Sequence, residues 1–83
     1  MSLYAFKSLD LNKQAEAARE YGVFVAHREE GVYRIMLYQL PSFYVEIWYN
    51  PEANKIEKLR SFVSTGQLQP YLDQIDLTGM LNN

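Results

Sequence analysis

Phe43-Tyr44-Val45-Glu46-Ile47-Trp48-Tyr49-Asn50 is the stretch on which the fold turns. It is rich in β-branched and aromatic residues and bounded by Pro41-Ser42 before and Pro51 after. That composition suits a pleated strand. Val32 to Gln39 and Val23 to Arg28 read the same way, with Glu29-Glu30-Gly31 between them. A three-residue hairpin loop favours a left-handed third residue, and Gly31 fits that place. On the C-terminal side, Pro51-Glu52-Ala53-Asn54 has turn chemistry: proline suits an early position and asparagine tolerates a left-handed one. Lys55 to Val63 follows. Ile56, Leu59 and Val63 fit a helical stripe, but the preceding turn and the Ser61 to Thr65 ending favour a fourth strand.

Outside the meander the period changes to 3.6. Leu11, Ala15, Ala18 and Tyr21 form one stripe, with Lys13, Glu16, Arg19 and Glu20 around the rest, which predicts a helix over 11–21. Ser8 and Asp10 are both N-cap candidates. Gly22 stands where a left-handed C-cap is expected. Leu3 to Phe6 reads as an extended or irregular lead-in. A short helix is expected over 67–75, with Pro70 early enough to be tolerated and Leu68, Tyr71, Leu72 and Ile75 on its apolar side. Leu77, Met80 and Leu81 are expected to tuck onto the core. The expected class is α+β: an N-terminal helix, a four-stranded antiparallel meander and a short C-terminal helix, with the helices on one sheet face.

The 83 residues are 48% hydrophobic, enough for one domain over 1–83 and too few for two. There is no cysteine, so disulfides, thiolate zinc sites and thiol nucleophiles are excluded. That absence, with no signal-peptide pattern and no long apolar run, leads us to expect a cytoplasmic protein without membrane association. The formal net charge of −2 argues against a duplex-DNA binder. The four glycines are isolated, so no phosphate-cradling loop is present. No cofactor or metal is implied and no catalytic residue is assigned; the reading leans away from an enzyme.

With three-residue loops at the first two turns, Val25 would face Ile35, Leu37 would face Val45 and Ile35 would face Ile47, an aliphatic side for the helices to cover. The opposite side would carry Phe24, Ala26, Arg28, Arg34, Met36, Tyr38, Tyr44, Glu46 and Trp48. Tyr38 would lie against Tyr44, and Arg34 would stack on Trp48. A face so apolar suggests a partner or ligand, although the C-terminal segment could fold over it as a second core. The candidate interface or ligand face is therefore Arg34, Met36, Tyr38, Tyr44, Glu46 and Trp48.

Three functions compete for that face. The first is a non-enzymatic interaction module that homodimerises through it, with Tyr38, Tyr44 and Trp48 as anchors. The second is a small-molecule binder or minor enzyme using Glu46 in an aromatic pocket, since a buried carboxylate can serve as acid or base. The alternative for Glu46 is a cross-strand ion pair with Lys58 or Arg60. The third, single-stranded nucleic-acid binding, has the right residue types but lacks the aromatic glycine-rich signature of RNA platforms. His27, the only histidine, has no accompanying triad or ligand spacing and reads as a hairpin-end residue. Lys55, Lys58 and Arg60 read as protection for a sheet edge.

Overall fold

The computed structural model describes residues 1–63 and 65–73. Along the chain come α1 (Leu3–Lys7), α2 (Leu11–Tyr21), β1 (Val23–Glu30), β2 (Tyr33–Gln39), β3 (Tyr44–Asn50), β4 (Lys55–Phe62), a 3-10 turn (Thr65–Leu68) and α3 (Gln69–Leu72). The strands form one antiparallel sheet in sequence order, with β1 and β4 at its edges among the described residues. The fold is α+β, with an N-terminal helix, a four-stranded meander and a short C-terminal helix. The ambiguous segment after Asn54 is a strand.

The α2 boundaries follow from its caps. The Asp10 carboxylate accepts from the Lys13 N–H at 2.9 Å, satisfying a donor that the first turn leaves open. At the other end Gly22 differs from expectation. Its φ is −98°, so it is not a left-handed cap. It is there for space: a Cβ would stand 2.5 Å from the Ala18 carbonyl oxygen and 3.0 Å from Leu40 Cδ1. The first residues also differ from expectation. Leu3–Lys7 is a helical turn whose Phe6 is fully buried, and Ser8 caps its C-terminal end by donating to the Ala5 carbonyl at 2.6 Å. Tyr21, placed on the apolar stripe from sequence, is 57% exposed; Ala15, Ala17 and Ala18 are the buried residues of α2.

The hairpin loops are tighter than the sequence suggested. Glu30 pairs with Tyr33, leaving a two-residue loop with Gly31 first, at φ 59°. A glycine at positive φ in that position marks a II′-type turn, whose twist matches the strands it joins. Gly31→Ala should therefore cost about 1–2 kcal/mol, seen as a lower urea midpoint with an unchanged slope. At the next turn Leu40 donates to the Phe43 carbonyl at 2.8 Å, closing a two-residue turn on Pro41-Ser42.

These turns reset the register. Ile35 faces Trp48, Met36 faces Ile47, Leu37 faces Glu46 and Tyr38 faces Val45. Side chains alternate along a strand, so a one-residue slip moves each one to the other face. The expected division into an aliphatic and an aromatic face is thereby overturned. The first face carries Met36, Tyr38, Val45 and Ile47, packed under α1 and α2 through Phe6, Ala15, Ala17 and Ala18. The second face carries Leu37, Tyr44 and Phe62, packed under Leu68 and Tyr71. The helices thus lie on both faces of the sheet, not on one, because both faces are apolar enough to need a cover. The C-terminal helix is 3-10 over Thr65–Leu68 and α-helical only over Gln69–Leu72. The expected roles of Ile75, Leu77, Met80 and Leu81 lie outside the described residues.

Candidate functional site

Glu46 is the buried charged residue of the described core, with no exposed surface. It lies mid-way along β3, between Leu37 of β2 and Arg60 of β4. Arg60 reaches that position by a bulge. The final loop has four residues, Pro51 to Asn54, which alone would set Leu59 opposite Glu46. Glu57 is then an extra residue in β4, so Tyr49 pairs with Ile56 but Trp48 with Lys58. The bulge restores the facing side to Arg60. Asn54 at φ 54° and the Asn50 Oδ1, which accepts from the Glu52 and Ala53 N–H groups at 3.0 and 3.3 Å, hold the loop that precedes it.

Four donors meet the Glu46 carboxylate. Oε1 accepts from Arg60 Nε at 2.8 Å and Trp48 Nε1 at 3.4 Å. Oε2 accepts from the Tyr71 hydroxyl at 2.6 Å and Arg28 Nη2 at 3.4 Å. The two short bonds are the strong ones, since charge-assisted contacts contract. Arg28 also donates from Nη1 to Glu30 at 2.7 Å. Its Cζ lies 5.5 Å from the Trp48 ring centre and 5.3 Å from that of Tyr71, so the guanidinium is held between two aromatic rings. Lys58 Nζ sits 4.3 Å from the Trp48 ring, whose edge meets Tyr33 at 5.4 Å. Arg28 Nε is buried and has no hydrogen-bond partner among the described residues.

Burial alone would push the Glu46 carboxyl up. The Tyr71 bond, the charge and bond of Arg60, and the Arg28 charge together outweigh burial and hold it below its ordinary value of 4.5. Burial and the neighbouring carboxylate push the Tyr71 phenol well above its ordinary value of 10, against the opposing effect of Arg28. Arg28 itself is raised: burial would lower it, but Glu30, Tyr71 and Glu46 prevail.

Glu46 stabilises the fold as a carboxylate, so its contribution is present above the unfolded-state pKa and is lost as pH falls through the lower folded value. Tyr71 stabilises it as a neutral phenol, so its contribution is complete below 10 and is lost as pH rises through its raised folded value. Urea midpoints against pH should therefore fall at both extremes. Glu46→Gln should flatten the acid limb relative to the parent, and Tyr71→Phe the alkaline one.

A carboxylate has about four lone-pair positions, and here four donors occupy them. The carboxylate is thus engaged by side chains of its own chain, most closely by Arg60 and Tyr71. The ion-pair reading of Glu46, with Arg60, is the one the geometry matches. The other sequence candidates divide between faces. Tyr44, Glu46 and Trp48 share the second face; Arg34, Met36 and Tyr38 belong to the first. Tyr44 faces Gln39, not Tyr38, and stacks on Phe62 at 5.5 Å. Arg34 pairs with Glu29 at 3.9 Å at the surface, and Arg28 takes the place beside Trp48 that was expected for Arg34. Trp48 is only 7% exposed.

The open surface lies elsewhere, along β1. Val23, Phe24 and Val25 are 70%, 51% and 48% exposed. Beside them, on the second face, runs an apolar groove of about 530 Å³ lined by Phe24, Val25, Ala26 and Leu37 from the sheet and by Leu68 and Leu72 from the C-terminal segment. On the first face Phe24, His27, Glu29, Arg34 and Met36 line a second concavity of about 360 Å³. Sequence reasoning split this strip, placing Phe24 on the candidate partner side but Val25 on the helix-covered one. The visible signal was an edge strand that opens with four uncharged residues. No group of histidine, aspartate and glutamate side chains with metal-binding geometry occurs among the described residues. No helix among them is long and apolar enough to cross a membrane. No protein-family model matches the sequence, and neither the curated proteins nor the solved structures show a significant match.

Proposed function

We propose that the chain is a non-enzymatic interaction module that forms a homodimer. The observation that carries this reading is the exposed apolar run Val23-Phe24-Val25 on a strand at the edge of the sheet formed by the described residues. Several exposed large apolar side chains grouped on one edge strand point to a partner site. Small domains also gain stability by association. The engaged state of Glu46 favours a structural role for that residue over an acid–base one. Tyr44 and Trp48 are packed under Phe62, Tyr33, Arg28 and Lys58, which disfavours a stacking platform for single-stranded nucleic acid.

Light scattering on a sizing column, across a dilution series to low micromolar concentration, tests the reading. The expected mass is twice the 9.7 kDa of the chain. A single-chain mass at every concentration would count against it. A second reading, a small apolar ligand, rests on the 530 Å³ groove, which is within the size range of ligand pockets. It predicts a rise in melting temperature with short-chain fatty acids that Leu72→Lys abolishes.

A further inference from the structure

We propose that the partner is a second copy of this chain joined antiparallel through β1, so that two sheets become one of eight strands. This rests on the homodimer reading and specifies its geometry.

The two edges of the sheet differ in chemistry. β4 carries Lys55, Glu57, Lys58 and Arg60 within eight residues, with Lys55, Glu57 and Lys58 exposed. Charges on an edge oppose pairing with another strand. β1 is equally long, but its first four residues, Val23-Phe24-Val25-Ala26, carry no charge. A bulge lies there: Phe24 pairs with Tyr38 and Ala26 with Leu37, leaving Val25 without a cross-strand partner in the β1–β2 register. The bulge places Phe24 against Tyr38, ring centres 5.7 Å apart, and leaves Val25 half exposed at the mouth of the groove.

Concavities flank β1 on both faces of the sheet. A strand laid beside Val23–Ala26 sends alternate side chains to opposite faces and so fills both, while its backbone meets the edge of the described sheet where Val23, Phe24 and Val25 are exposed. A compact small molecule would fill one concavity and leave the edge unpaired. The occupant therefore has the chemistry of an extended, apolar polypeptide. Val23–Ala26 is such a segment, already extended and already at an edge. The same four residues thus form both the docking surface and the group that fits it, which is what a twofold, self-complementary contact requires.

Charge sets the direction. β1 ends in Arg28-Glu29-Glu30, with both glutamates exposed. Parallel pairing would bring the two acidic ends together, whereas antiparallel pairing centred on Val23–Ala26 sends them to opposite ends of the joined strands. Closure follows as well. Once the two β1 edges meet, both outer edges of the larger sheet are charged β4 strands, so assembly stops at two.

The chain has no cysteine, so one introduced cysteine reports a single place. Near the twofold axis of antiparallel strands, facing Cα atoms lie roughly 4.5–5.5 Å apart, within the range of a disulfide. Phe24→Cys, Val25→Cys, Ala26→Cys and His27→Cys should be oxidised one at a time, with Lys58→Cys on β4 as the comparison. At least one of the β1 variants is expected to give a disulfide-linked dimer in high yield, and Lys58→Cys none. Val25→Lys, at a half-exposed and unpaired position, should keep the parent circular dichroism and raise the dimer dissociation constant at least tenfold. A dimer that survives Val25→Lys, or that cross-links only at Lys58→Cys or at none of these positions, would overturn the β1 geometry while the homodimer reading stood. A parent chain that is a monomer throughout would remove that reading itself.

Discussion

Glu46→Gln should cost about 3–5 kcal/mol, the range found when one member of a buried ion pair is removed. The substitution keeps size and shape, so the loss is electrostatic. Arg60 Nε at 2.8 Å and the Tyr71 hydroxyl at 2.6 Å lose a charged acceptor, and Arg28 loses one of its two carboxylates. Arg60 can turn to water, since its side chain is 40% exposed. Arg28, at 11%, cannot do so as readily. The amide nitrogen of glutamine would also point a donor at donors already present. For a domain of this size the loss is a large part of a total stability of roughly 5–10 kcal/mol. The melting temperature should fall by about 12 °C or more. Tyr71→Phe should cost less, about 1.5–3 kcal/mol, because only one bond to the carboxylate is lost. If the two residues act as one unit, the double variant will be less destabilised than the sum of the single ones, with a coupling of about 1–3 kcal/mol. A Glu46→Gln variant with parent stability would show that the four donors do not hold the fold together, and would reopen a ligand role for the carboxylate.

The sequence carried some of this structure and could not carry the rest. The α2 helix was legible to its ends because Asp10 is a local signal, needing only the Lys13 N–H three residues on. The strands were legible because Val, Ile, Tyr and Trp favour pleated, half-buried surfaces wherever their partners are. Register was not. It depended on whether Gly31 is the first or the third residue of its loop, and positive φ suits either place. A slip of three residues there and of one at Pro41-Ser42, both odd numbers, exchanged the faces of whole strands. The bulges at Val25 and Glu57 have no composition of their own, yet the second decides that Arg60 faces Glu46. Glu46 was recognised because a carboxylate in an otherwise apolar strand demands an explanation. Tyr71 was placed on the apolar side of its helix. Its contact with a residue 25 positions earlier exists only once the C-terminal segment crosses the second face.

Trp48→Ala separates the aromatic face as an interface from the aromatic face as a core. If Trp48 were an exposed anchor, its removal would dissociate a dimer and leave the monomer as stable as before. Its position argues otherwise. It is 7% exposed, with Tyr33 at its edge, Arg28 and Lys58 against the ring, and its Nε1 directed at Glu46. Truncating a buried tryptophan costs about 3–5 kcal/mol through lost burial and the cavity left behind. Here Arg28 would also lose one of the two rings that hold its guanidinium. The expected result is a large fall in urea midpoint at a protein concentration low enough to exclude association. The dimer constant, measured on whatever fraction remains folded, should change far less than it does for Val25→Lys. The opposite pattern, a stable monomer with association abolished, would return the interface to the face around Trp48 and require the C-terminal segment to move off it.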